Sequence, residues 1–408
     1  MIKIVLKNQA DLEIDYLKRM VPPLQGKINF LKLALTDLLS PAAIVVNTIN
    51  FKEYKDFTGK IRMIVEEEEK YNKNILTESN YGATVSAYVN STNNKLVDID
   101  ISKLIAFLDD LSAFNSLKLK EFLICPPDRL SQTNDDIKSV NSLNDKEIKI
   151  VCLAISYGIK ALSDAAKGFF RKHNLVKICP YCNNENAEYK TEMRNNKKVV
   201  SRVHQLDHFF SQTDHPLLEL CIYNLVPSGT ACNSSTCKGQ ICFKDEFHLN
   251  PYIDGFNGDA MFVPIPKGLK TDRIELRYLG TPGGPRYMKI MGDDTDTSPD
   301  KYKKGNVNVF KLQGDYGGLT DKADFVLREV DRRLSGISSN LRFFKEMVGI
   351  DRGKSHKKWF KDQLGTSFDP AEFNDSALSK FNRDIHDFYV TKNPRAINVF
   401  LRDLIKYP

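Results

Sequence analysis

The chain has 408 residues, 41% hydrophobic and 27% charged, ordinary globular usage that excludes wholesale disorder or a fibrous repeat and leaves room for two or three domains. Lysine and arginine number 59 against 52 acids, a net +7 that suits a polyanion partner without demanding one. The longest apolar stretch, residues 151–159, falls far short of the roughly 20 a membrane span needs, and the N-terminal Ile-Lys-Ile-Val-Leu turns polar too soon for a secretory core. A cytoplasmic protein with no membrane partner is expected.

In chain order, residues 1–165 read as a mixed α/β domain. Short β-branched runs at 2–6, 43–46 and 61–65 suggest strands, and apolar spacings of three and four predict helices over 101–123 and 147–166. The acidic run 66–69 reads as a solvated helix end. Cys125 and Cys152 stand alone in apolar surroundings and read as core thiols. No chemical motif occurs here, so a regulatory or partner-docking role is expected. Over 166–264 the texture changes to cysteine, histidine, asparagine and turn residues. Residues 187–193 and 198–206 predict two strands joined by Arg194-Asn195-Asn196-Lys197. In the region 265–408 a second hairpin is expected between 274–278 and 287–291, around a Gly-Thr-Pro-Gly-Gly-Pro loop. A long helix comes next over 321–347, with Phe325, Leu327, Val330, Leu334, Ile337, Leu341 and Phe344 on one stripe, and the tail 377–404 also reads as helical. The expected class is α+β, multidomain, with a helix-rich C-terminal section.

Chemistry concentrates in the middle. Cys179 and Cys182 form a CxxC, and Cys221, Cys232, Cys237 and Cys242 come after it; clustered cysteines in a reducing compartment suggest metal. Asp207 and His208 end a predicted strand, Asn224 lies further on, and Asn233 stands next to Cys232. Asp and Asn offer hard oxygen ligands for magnesium, and a neighbouring imidazole can deprotonate water near neutral pH. Together these suffice to cleave a phosphodiester. A strict pleat sends Asp207 and His208 to opposite faces, so the strand must end or twist there for both to serve one site.

CPYC at 179–182, LDHFF at 206–210, YNLVPS at 223–228 and CN…KG from Cys232 to Gly239, in that order, resemble the HNH endonuclease family, whose core is a ββα-metal finger. The segment 249–256 resembles the stretch after the finger in a bacterial branch of that family, and Leu378-Ser379-Lys380…Asp384-Ile385 is a faint further echo; the first 165 residues lie outside the likeness. The resemblance implies an HNN variant. In it His208 is the general base, Asp207 and Asn233 bind a magnesium (or manganese) ion, and Asn224 braces the loop between the second strand and the helix. The implied products are a 5′-phosphate and a 3′-hydroxyl. Proteins of this branch often carry two CxxC knuckles around zinc. Here Gly229 stands where the first cysteine of the second knuckle is expected, and Cys237 is inferred to replace it beside Cys179, Cys182 and Cys232. Residues five apart on a regular helix point about 140° from each other, so Cys232 must precede the helix. Cys242, a histidine, or no zinc at all remain the alternatives; Cys221 reads as core.

DNA contact is expected from Lys190, Arg194, Lys197, Lys198 and Arg202 on the hairpin, which exceed Glu188 and Glu192 locally, and from Lys238. An ordinary solvated hairpin is the competing account. Arg352, Lys354, Lys357, Lys358 and Lys361 surround Trp359, where a helix packing the indole inward is preferred to a nucleic-acid surface. The second pair, Asp214-His215, reads as loop before Pro216. His204 shares a strand face with His208, His248 reads as structural, and His173, His356 and His386 have no assigned partner. The expected function is metal-dependent DNA hydrolysis in bacterial antiphage defence or restriction, with a regulatory subunit such as an ATPase, and a homo-oligomer is compatible. RNA cleavage is a lesser alternative. The rival is a non-catalytic zinc-stabilised nucleic-acid-binding or scaffold protein, which gives no reason for Asp207, His208 and Asn233 in one register.

Overall fold

The computed structural model describes residues 1–39, 51–67, 96–113, 116–188, 190–194, 197–202, 205–239, 241–293, 304–337 and 357–392. Over these the fold is α+β, and no helix among them is long and apolar enough to cross a membrane. The chain divides into two compact units: one combines Asn8–His173 with Phe210–Leu225, the other Met1–Lys7, Asn174–Phe209 and Val226–Pro408.

The first unit is helical. Leu12, Tyr16, Met20, Leu24, Ile28, Leu31 and Leu35 recur at spacings of three and four and are all buried along α1 (Gln9–Leu39). That one-sided stripe binds the helix to the bundle despite Pro22 and Pro23 in its interior. Against α1 pack α2 (Phe51–Glu66), α3 (Ile101–Ser112), α4 (Leu117–Ile124), α6 (Asp145–Ile155) and α7 (Lys160–His173), with α5 (Leu130–Val140) alongside the inserted segment. Helix α6 starts on a reciprocal box in which Asn144 caps the Glu147 N–H and Glu147 returns to the Asn144 N–H. Residues 210–225 are built into this bundle: the Tyr16 hydroxyl donates to Leu220 O at 2.7 Å, Glu219 accepts from Ser156 Oγ at 2.8 Å and Tyr157 N at 2.7 Å, and Tyr223 donates to Glu13.

Several expectations for this region are corrected. Residues 61–65 lie in α2, because Ile61 and Val65 sit one turn apart and are buried with Phe57, a helical and not an alternating pattern. Residues 2–6 form no strand; Ile2 and Ile4 donate singly to Pro180 O and Pro251 O. The helices expected over 101–123 and 147–166 are each broken into two, and the run 43–46 lies outside the described residues.

Among its described residues the second unit has three two-stranded sheets. Strand β1 (Lys190–Arg194) pairs antiparallel with β2 (Lys197–Arg202), β3 (Gln205–His208) pairs with β4 (Leu225–Ser228), and β5 (Ala260–Lys267) pairs antiparallel with β6 (Lys270–Tyr278). The segment expected as one strand over 198–206 is therefore two, β2 and β3. The expected hairpin of 274–278 with 287–291 does not form either. Strand β6 instead pairs backward through the Gly268-Leu269 turn, and Pro285 opens α8 (Pro285–Ile290) at the position where its missing N–H is harmless. Pro264 and Pro266 are tolerated in β5 because a two-stranded sheet has a free edge.

Short helices α9 (Gly305–Val309) and α10 (Leu312–Gly317) lead to α11 (Thr320–Ile337), which buries Ala323, Val326 and Val330 while Phe325 and Leu327 are half-buried. The rest of the stripe past residue 337 lies outside the described residues. Helix α12 (Ser379–Lys392) carries the buried pair Lys380–Asp384 at 2.8 Å; Lys380 Nζ also donates to Ala260 O at 2.8 Å, and Asp384 accepts from Phe262 N at 3.0 Å. Together these fix α12 to β5.

Candidate functional site

The first knuckle is a chain reversal made by backbone bonds. Cys179 N donates to Glu185 O at 2.8 Å, Asn183 N donates to Cys179 O at 2.8 Å, and Asn183 takes the left-handed conformation (φ 56°) that Asn tolerates. The side chain of Asn183 then ties the loop down, donating to Phe373 O at 2.9 Å and accepting from Lys380 N at 3.0 Å. After β4 the chain runs through successive turns from 230 to 239, not the expected regular helix: Asn233 N donates to Gly229 O, Ser234 N to Ala231 O and Cys237 N to Ser234 O.

These two loops bring Cys179, Cys182 and Cys232 together, all buried, with sulfurs within 4.8 Å of one another. Hydrogen bonds from the Cys179 and Cys232 thiols hold Cys182 down to about 3, and the N–H groups of Glu185 and Asn184 add to them. Burial pushes Cys179 up, and its bonds to Cys179 and Cys182 push Cys232 up. Three cysteine sulfurs gathered in a place this dry form a ready donor set for a cation. A divalent metal such as zinc fits this donor set. Cys237, expected to complete it, lies outside the group, half-buried, as does Cys242. Cys221 is buried in the helical unit, where its thiol faces Cys125 O, and Cys125 is paired with Thr133 Oγ1 at 3.0 Å.

Asp207 is arranged otherwise than expected for an open magnesium ligand. It is 4% exposed, its Oδ1 receives Lys238 Nζ at 2.8 Å and its Oδ2 receives the Tyr181 hydroxyl at 2.6 Å. Tyr181, the third residue of CPYC, is fully buried and stacked on Phe310, and burial beside Asp207 keeps its phenol protonated. Lys238 is itself 2% exposed; its ammonium also donates to His208 O at 2.5 Å and lies 4.8 Å from the Phe243 ring. This corrects the expectation that Lys238 contacts nucleic acid, since an interior ammonium bonded to Asp207 cannot reach a phosphate. An ammonium already occupies the cation position beside Asp207, so the residues as they stand do not fit a hydrated magnesium ion.

His208 is half-buried at the end of β3. Asn233 is brought to the same strand, its amide donating to Gln205 Oε1 at 3.0 Å, and Gln205 shares a strand face with Asp207. Asn224 is fully buried: it accepts from Phe210 N at 2.7 Å and donates to Phe210 O at 3.2 Å and Leu218 O at 3.1 Å. It therefore braces the loop between β3 and β4, two residues past His208 in the chain, and not the loop that comes after the second strand.

Among the other candidates, Lys190 is exposed and paired with Glu188 at 2.6 Å. Arg194, Lys197, Lys198 and Arg202 have their backbones in β1 and β2, with side chains outside the described residues. His204, His356, Arg352 and Lys354 also lie outside them. Lys357 is engaged by Asp369 at 2.8 Å, and Trp359 is half-buried against Phe360. Asp214 and His215 occupy a turn closed by Ser211. His173 pairs with Asp15 in the helical unit at 2.9 Å and His386 with Asp387 at 2.9 Å. His248 is buried and stacked on Phe243 with centroids 3.9 Å apart, and desolvation lowers its pKa to about 3. Motif spacing alone does not reveal the parts played by Tyr181 and Lys238. Their signal is a tyrosine inside a CxxC and a lysine directly after a cysteine turn, each needing Asp207 as partner to be read. No family model, curated protein or solved structure matches this chain, so the chemistry of the site is argued from its own residues.

Proposed function

We propose that the chain is an HNH-type endonuclease that hydrolyses DNA phosphodiesters, with Cys179, Cys182 and Cys232 forming a zinc-stabilised knuckle beneath the reacting residues. The observation that carries this reading is that two of the motif residues meet β3: His208 stands half-buried at its end, and Asn233 is bonded to Gln205 further along the same strand. Zinc would serve as the structural clamp. His208, an imidazole whose ordinary pKa lies near neutrality, takes the proton from a water attacking phosphorus. The new P–O bond forms as the bond to the 3′ oxygen breaks, that oxygen gains a proton from solvent, and a 5′-phosphate and a 3′-hydroxyl result. Asp207 acts as a positioning residue: it fixes Lys238, whose ammonium holds the His208 carbonyl. The expected magnesium or manganese finds no open carboxylate at Asp207, so no step is assigned to it and its need is read by assay.

The rival reading, a non-catalytic zinc-stabilised nucleic-acid-binding protein, is favoured by that same closed Asp207–Lys238–Tyr181 arrangement. Cleavage of supercoiled plasmid and of single-stranded DNA, with magnesium, with manganese and with chelator, separates the two. Nicking by the native protein that His208→Ala abolishes without loss of folding supports catalysis. Undiminished nicking by His208→Ala removes the assigned base, and DNA binding without nicking under every condition selects the rival.

A further inference from the structure

Gly229 stands three residues before Cys232, the spacing of a CxxC knuckle with its first thiol missing. A Cβ built on Gly229 would lie 2.1 Å from Glu185 Oε2, 2.3 Å from its Cδ and 2.7 Å from its Cγ, well inside the 3.0 Å that real Cβ atoms essentially never breach. A side chain at 229 would therefore have to displace the Glu185 carboxylate from where it now lies. The volume a cysteine would fill at 229 holds a carboxylate from the other knuckle.

The hydrogen bonding matches the same substitution. Cys182 accepts the N–H of Glu185, three residues on, at 3.4 Å, and that of Asn184, two residues on, adds to it. Two residues on from Gly229 is Ala231, and its N–H goes to Glu185, at 3.0 Å from Oε2 and 3.2 Å from Oε1. The Thr230 hydroxyl adds a bond to Oε1 at 2.7 Å. Gly229 N–H in turn points to the Cys179 sulfur, which places the gap at the edge of the cysteine group. A carboxylate oxygen has two lone pairs, and Oε2 spends one on Ala231. Zinc accepts glutamate oxygen beside cysteine sulfur in four-coordinate sites.

We propose that Glu185 is the fourth ligand of the metal held by Cys179, Cys182 and Cys232, standing in for the thiolate that Gly229 lacks. This rests on the zinc reading of the three cysteines. A set of three thiolates and one carboxylate keeps the charge of a four-cysteine set, so the exchange leaves the electrostatics of the knuckle intact. The carboxylate stands outside the group of three sulfurs, and ligation requires a turn of its half-buried side chain toward them. Cys237 and Cys242, the sulfur alternatives, are also outside the group.

X-ray absorption at the zinc edge of the full-length, zinc-loaded protein tests this directly. Three sulfurs at about 2.3 Å and one oxygen at about 2.0–2.2 Å are expected. Four sulfurs, or a protein that takes up no zinc, overturns the proposal. In parallel, Glu185→Ala should weaken zinc affinity by roughly tenfold or more, while Cys237→Ser leaves it unchanged. The double variant Glu185→Ala with Gly229→Cys should restore affinity and show four sulfurs. Unchanged affinity in Glu185→Ala, which would assign the fourth position to water, also overturns it. Should Glu185→Ala not fold, the native absorption spectrum and the double variant still decide. None of these readouts involves DNA, so loss of the nuclease reading would leave this result standing.

Discussion

In the helical unit the described side chains that α1 buries are apolar save for one phenol, and that helix is held to the bundle by area. In the second unit Asp207, Lys238, Lys380 and Asp384 lie in the interior, and the loops carrying the cysteines are held by hydrogen bonds and ion pairs. Burial of apolar surface degrades by increments when one group is removed. A buried charge that loses its partner does not. The two units should therefore fail differently, and the contrast can be broken from either side.

The largest effect is expected from the metal group. Cys232→Ser, or a strong chelator, should melt the second unit while the helical unit stays folded, read by hydrogen exchange in 178–186 and 228–239 against that in α1; structural zinc sites contribute on the order of 10 kcal/mol. Protection falling equally in both units would show that the thiol cluster is incidental. Next, Lys238→Met strands Asp207 without its partner and should cost about 3–5 kcal/mol in denaturant unfolding, most of it recovered in Lys238→Met with Asp207→Asn. If the single variant is neutral, Asp207 is not held as an interior anion. In the helical unit, Ile28→Ala should cost about 2–4 kcal/mol, chiefly as lost volume, and leave zinc content untouched.

The smallest effect, taken per pH unit, is a slope with pH. His248 is held neutral by burial, with its pKa lowered to about 3 from 6.5. Between those values the unfolded chain binds a proton that the folded chain refuses. Stability is thus complete above pH 6.5 and falls as pH drops toward 3, by up to about 1.4 kcal/mol per unit. His248→Asn should flatten that part of the curve relative to the native protein, and an unchanged slope would place the titration elsewhere.

The same contrast explains what the amino-acid order discloses. Apolar periodicity finds the helical character of 101–123 and 147–166, but it misses the break inside each and the helix α5 between them. It misses α1, where Pro22-Pro23 argues against a helix that the stripe from Leu12 to Leu35 nevertheless stabilises. It misplaces the partner of β6, since the true partner β5 contains two prolines and reads poorly as a strand. Among the site residues, spacing groups Cys179, Cys182 and Cys232 correctly. It fails for the fourth position because the side chain that fills the space of residue 229 comes from residue 185, and for Lys238 because an interior lysine is recognisable only once its carboxylate is known.

Because residues 210–225 fold as part of the bundle while both flanking strands belong elsewhere, the backbone crosses between the units at four points. Neither unit can be excised as one uninterrupted fragment. A truncation beginning near residue 174 would synthesise Leu220, Glu219 and Tyr223 with none of the helices that receive them, so work on an isolated second unit must either graft a replacement for that excursion or retain the bundle whole.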